Sequence, residues 1–169
     1  MYEPGEIYWI DCEGPGRLAI VDRPLGDDTL ENEILAWRQA GIDVVVSLLT
    51  EYENSYCGLV QEAELCRSNG IQFISFPITD RSFPKSTEET LELVSKLNDL
   101  LTNEKSIGFH CYGCVGRAPL IASCVLMFRG ETADRAFKLV GYARGYPIPE
   151  AAVQAEWGRD FARRLSLLV

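Results

Sequence analysis

The sequence predicts an α/β fold, with a central, mostly parallel sheet flanked by helices and a helical C-terminal third. Three observations predict it. Strand-like and helix-like segments alternate through the first two thirds of the chain. Asp43 to Leu49 is apolar without alternation, as in a strand buried on both faces. After His110 only helical patterns remain. The 169 residues, 47% of them hydrophobic, suffice for one core, and a single domain over 1–169 is expected.

Each element has a local reason. Glu6 to Ile10 and Arg17 to Val21 read as short strands around a Gly14-Pro15-Gly16 turn. Asp28 or Thr29 caps a helix through Leu30, Ile34 and Trp37, which Gly41 stops. The strand at Asp43 follows. A helix is expected from about Gly58 to Ser68, ended by Asn69-Gly70, and then a strand from Gln72 to Pro77. Ser86-Thr87-Glu88-Glu89 has the pattern of a capping box. The helix it starts carries Leu91, Val94, Leu97 and Leu101 on one side. Ser106 to Phe109 is a short strand ending at His110, and Arg117 to Phe128 is apolar enough to be a central, buried helix. Another helix starts near Thr132 and ends at Gly145. The last starts at Pro149, with Val153, Trp157, Phe161 and Leu165 as its stripe.

Composition excludes several functions. Lys plus Arg is 16 and Asp plus Glu is 25, a net charge of −9. Nucleic acid and anionic membranes repel such a chain, so neither is expected as a partner. The run from Pro119 to Phe128 is too short to span a bilayer, and Met1-Tyr2-Glu3-Pro4-Gly5 is no basic, apolar leader. A cytoplasmic protein is expected. Its six cysteines (Cys12, Cys57, Cys66, Cys111, Cys114 and Cys124) then read as free thiols. One histidine and one C-x-x-C pair cannot build the usual zinc sites, and no metal or cofactor is expected.

The chemistry concentrates in Phe109-His110-Cys111-Tyr112-Gly113-Cys114-Val115-Gly116-Arg117-Ala118, between a buried strand and a buried helix. Such a loop is an anion site, because its free N–H groups converge and the helix dipole adds positive potential. Gly113 and Gly116 allow a tight curl. Cys111 at its mouth is expected to be a nucleophilic thiolate. Arg117 offers a planar fork suited to two phosphate oxygens.

His110-Cys111, five residues and then Arg117 resemble the active-site loop of the protein tyrosine phosphatase superfamily, His-Cys-x-x-Gly-x-x-Arg followed by Ser or Thr. The wider chain, roughly Ile42 to Gln154, resembles the dual-specificity branch, nearest the cyclin-dependent-kinase-associated group. Gly70 to Asp80 resembles the segment ending in that branch's general acid. Arg144-Gly145 and Gln154 resemble its C-terminal helical part. Two positions depart from the pattern: Cys114 replaces the central Gly, and Ala118 replaces the hydroxyl residue that stabilises the leaving thiolate. The second departure implies slower phosphoenzyme breakdown or a less acidic Cys111.

The resemblance implies catalysis by Cys111, Arg117 and Asp80 through a phosphocysteine. Tyr112, Gly113, Cys114, Val115, Gly116 and Arg117 would bind the phosphoryl oxygens. His110 would fix the Cys111 backbone and Gln154 would help to place the hydrolytic water, unless it is only a solvated helix residue. Glu51 and Glu53 are the fallback acids. The loop between Cys111 and Arg117 carries no cation. This disfavours inositol lipids and RNA 5′ ends, and leaves a phosphoprotein bearing phosphotyrosine, phosphoserine or phosphothreonine as the expected substrate. Two alternatives remain. Cys111 and Cys114 are spaced as a thiol redox pair, or as a thiol and its oxidative capture partner. Ala118 would suit a phosphate-binding module with little turnover.

Overall fold

The computed structural model describes residues 3–168. Five strands form among them: β1 (Ile7–Ile10), β2 (Arg17–Val21), β3 (Val44–Ser47), β4 (Gln72–Ser75) and β5 (Ser106–His110). Seven helices accompany them: α1 (Leu30–Gln39), α2 (Glu51–Tyr56), α3 (Glu62–Ser68), α4 (Thr87–Thr102), α5 (Arg117–Phe128), α6 (Ala133–Arg144) and α7 (Ala152–Ser166).

The sheet order is β1-β2-β5-β3-β4. Only the β1–β2 pair is antiparallel; β5 lies parallel between β2 and β3. Side chains alternate across a strand, so β2 feeds two cores. Leu18 and Ile20 join Val44, Val46, Ile107 and Phe109 under α4, α5, α6 and α7. Ala19 and Val21 join Val45 and Leu49 against Leu30, Ile34 and Trp37 of α1 and Cys66 of α3. Each large apolar side chain removed from water contributes about 1.5–3 kcal/mol. Helix α5 is buried from Arg117 to Met127, which explains its lack of a polar face. The expected sheet and helical C-terminal third are both present.

Local differences have local causes. The helix expected from Gly58 starts only at Glu62, because Gly58 holds a left-handed φ of 69°. A separate short helix, α2, precedes it. Its start is a reciprocal cap: the Thr50 hydroxyl accepts from Glu53 N at 3.3 Å, and Glu53 Oε2 accepts from Thr50 N at 2.8 Å. Thr29 flanks α1 without capping it; its hydroxyl instead donates to Gly26 O at 3.0 Å. Ser86 does cap α4, accepting from Glu89 N at 3.1 Å. Helix α7 begins at Ala152, beyond the expected Pro149, and its buried face runs through Gln154, Gly158 and Phe161 while Val153 is exposed. That face differs from the expected stripe: Gln154 is buried with Ser82 O and Ala151 N as partners.

Candidate active site

Strand β5 ends at His110 and α5 begins at Arg117, so residues 111–116 form a loop beyond the carboxyl end of the middle strand. This is where open α/β sheets bind ligands. Leu48 N, just past β3, donates to His110 O at 3.0 Å and fixes the start of the loop. Among the described residues nothing accepts from the N–H groups of Tyr112, Gly113, Val115 and Gly116. The carbonyls of the first part of the loop are held by guanidinium groups. Arg144 Nε donates to Cys114 O at 3.1 Å, and Arg23 Nε donates to Tyr112 O at 3.2 Å with its guanidinium over the Tyr112 ring. Turning the carbonyls to these cations frees the N–H groups for an anion.

Cys111 is buried. The Cys114 S–H lowers its pKa most; burial opposes this, while the Ala118 and Cys114 N–H groups and Arg117 add to the lowering. The result is about 6, a thiolate at neutral pH. The Cys114 sulfur also lies 3.2 Å from Val21 O and 3.4 Å from Cys111 N. Cys114 thus supplies a donor in a loop that lacks the Ser or Thr hydroxyl at Ala118. The backbone pays for it: Cys114 has φ 58°, a region where a side chain costs about 1 kcal/mol relative to Gly.

Arg117 is 1% exposed and two segments grip it. Its two terminal nitrogens lie 2.8 Å from the two oxygens of Glu53, one donates to Ile78 O at 2.8 Å, and the other lies 3.1 Å from Asp80 Oδ1. Burial opposes the Arg117 charge, and Glu53, the Cys111 thiolate and Asp80 restore it. Burial also pushes the Glu53 pKa up, but Arg117 and Thr50 outweigh it and hold the carboxylate below its ordinary range. Arg117 Nε is buried with no partner among the described residues. A fixed fork with an unused donor, beside a thiolate and free N–H groups, is shaped for a tetrahedral oxyanion.

Arg117 lies between Asp80, 3.1 Å away, and the Cys111 thiol. Asp80 is 57% exposed, and its Oδ1 accepts from Arg81 N at 2.9 Å. Of the fallback acids, Glu53 is committed to Arg117, while Glu51 is an exposed residue of α2. Gln154 is fully buried and not solvated. Its amide donates to Ser82 O at 3.0 Å and accepts from Ala151 N at 3.2 Å, and it lies against Gly116, where a Cβ would come within 3.0 Å of Nε2. His110 Nε2 lies 2.6 Å from Glu62 Oε1, both groups buried.

Sequence reasoning missed the contributions of Glu62, Arg23 and the clamp made by Glu53. The Thr50-x-x-Glu53 cap was a legible signal for α2; Glu62 and Arg23 carry no local signal.

The family model of cyclin-dependent kinase inhibitor 3 matches residues 12–136. The chain belongs to this family. The human cyclin-dependent kinase inhibitor 3 is 29% identical over 158 residues, covering 92% of this chain and 72% of the human protein. The pig protein of the same name is 30% identical over 124 residues, covering 73% of this chain and 56% of its own. The crystal structure of kinase associated phosphatase with its catalytic cysteine replaced by serine superposes with a TM-score of 0.88 at 20% identity, covering 98% of each chain. The crystal structure of Tk-PTP in the active form gives 0.75 at 25% identity, covering 94% of this chain and 97% of its own. Family and fold together place the chain among the dual-specificity members of the protein tyrosine phosphatase superfamily. No helix of the described residues is long and apolar enough to cross a membrane.

Proposed function

We propose that the chain hydrolyses phosphomonoesters on proteins through a Cys111 phosphocysteine. One observation carries this reading: the buried Cys111 thiol shares its loop with a buried guanidinium that has an unused Nε–H among the described residues. The Cys111 thiolate attacks phosphorus in line. The S–P bond forms as the ester P–O bond breaks, and Asp80 gives its proton to the leaving oxygen. Arg117 and the loop N–H groups hold the equatorial oxygens, where charge spreads in the transition state. Asp80 then takes a proton from water, the water oxygen attacks phosphorus, and the thiolate leaves. Gln154 ties the Ser82 turn, two residues beyond Asp80, to α7 and the loop; placing a water as well requires it to release Ser82 O.

A phosphoprotein is the substrate class the family supports. The relatives are named for inhibiting cyclin-dependent kinases, and the superposed structure is a kinase associated phosphatase, so a phosphorylated protein kinase is the substrate of choice. The thiol-redox alternative has no use for the Arg117–Glu53–Asp80 network.

Asp80→Asn tests the acid. It is expected to lower kcat on an aryl phosphate by about 10²–10⁴-fold with little change in stability, measured without added metal. Undiminished kcat would move the proton-transfer role to another carboxylate.

A further inference from the structure

Beside Asp80 stands a contact that no step above uses. Arg81 Nη1 lies 3.3 Å from Glu150 Oε1, across 69 positions of sequence. We propose that Glu150 is a positioning residue for the acid: it fastens the turn that carries Asp80 to the loop that holds the phosphoryl group. The proposal rests on the reading of Asp80 as the acid.

The two residues interlock, each giving one backbone and one side-chain group. Glu150 N donates to Val115 O at 3.0 Å, so its backbone is fixed on the phosphate loop. Its carboxylate receives the Arg81 guanidinium. Arg81 N in turn donates to Asp80 Oδ1 at 2.9 Å. A continuous path therefore runs from Val115 through Glu150 and Arg81 to the acid. Oδ1 also lies 3.1 Å from Arg117, which leaves Oδ2 to carry the transferred proton. The turn needs support from outside. Arg81 holds φ 60°, a left-handed conformation that is uncommon for any residue but Gly. Ser82 N donates to Thr79 O at 3.0 Å and Gln154 holds Ser82 O, but neither bond acts on residue 81. Glu150 does. Arg117 touches Asp80 as well, yet its donors are also wanted by the phosphoryl oxygens, whereas Arg81 and Glu150 have no second duty. A proton donor displaced by about 1 Å loses much of its effect. The Arg81 side chain is 67% exposed, and such ion pairs hold weakly, so losing this one loosens the acid by a several-fold effect and leaves the fold intact.

Two aryl esters separate a positioning role from a structural one. Phenol is a poor leaving group that needs a proton, whereas 2,4-dinitrophenolate leaves without one. Glu150→Ala keeps the bond to Val115 O. In this variant kcat/KM for phenyl phosphate should fall several-fold, while that for 2,4-dinitrophenyl phosphate holds. Asp80→Asn should show the same contrast, enlarged. Arg81→Ala should match Glu150→Ala, and the double variant should lose no more than either single one, because the two act as a unit. A second readout needs no turnover: solvent exchange of the Arg81 and Ser82 amides, followed by NMR, should quicken several-fold in Glu150→Ala. Unchanged amides in the folded variant overturn the proposal. So do additive losses in the double variant, or an equal loss on both esters, which marks a defect in the phosphate loop. If Asp80→Asn shows no contrast between the esters, the acid assignment falls instead, and the amides still decide whether Glu150 holds the turn.

Discussion

Cys111→Ser is expected to abolish aryl-phosphate turnover, by more than about 10⁴-fold, and to leave the fold intact. The loop brings a thiol to a pKa of about 6. The same donors acting on a serine hydroxyl cannot produce a useful population of alkoxide at neutral pH. Oxygen is smaller than sulfur, so the substitution introduces no clash. The N–H groups and Arg117 are untouched, and a phosphorylated protein should still bind. The measurement pairs a metal-free assay with capture of a phosphoprotein on the immobilised variant. Turnover surviving in Cys111→Ser would sink the phosphocysteine mechanism.

Arg117→Ala should be the most damaging change for activity and stability together. The phosphoryl group loses its one guanidinium, an effect of about 10³–10⁵ in kcat where such a group stabilises transferring phosphate. Arg117→Lys should lose about 10²–10³-fold, because a point charge replaces the fork. Stability falls as well. Arg117→Ala leaves Glu53 as a mostly buried carboxylate without its cation, a loss of about 3 kcal/mol at neutral pH. The sign with pH follows from the lowered Glu53 pKa. In the unmodified protein that contribution is fully present above the unfolded value, about 4.3, and is lost as pH falls through the lower folded value. Urea unfolding should therefore show a gap between the two proteins at pH 7 that narrows below about pH 4. Equal stabilities at pH 7 would show that Glu53 is not held by this pair.

The Cys111 loop was legible in the sequence because its parts are contiguous: strand, Cys-x5-Arg loop and apolar helix follow one another from Ser106 to Phe128. Strand β2 was equally legible from its apolar run after the Gly14-Pro15-Gly16 turn. Helix α2 was not, because six largely polar residues carry no apolar period; only the Thr50–Glu53 cap marked it. Its absence left Glu53 as a loose carboxylate instead of the partner of Arg117. Glu62 is 48 positions from His110, and nothing in a linear pattern marks one glutamate of an acidic chain as buried. The cations missing between Cys111 and Arg117 arrive in space as Arg23 and Arg144, which cap the loop carbonyls. Gln154 followed the same logic: polarity suggested solvent, but its partners are the backbone groups of Ser82 and Ala151.

The placement of β5 in the middle of the sheet has a consequence for how the site breathes. Cys111 follows the strand paired on both sides, so releasing the nucleophile means opening the sheet at its centre. Asp80 follows β4, the edge strand, on an exposed turn tied to the body through Ile78, Arg117 and Gln154. Amide exchange around His110 should track global unfolding, whereas amides near Asp80 should exchange through smaller, more frequent openings. On the proposed mechanism, the nucleophile would then sit on the more stable of the two regions and the acid on the less stable one.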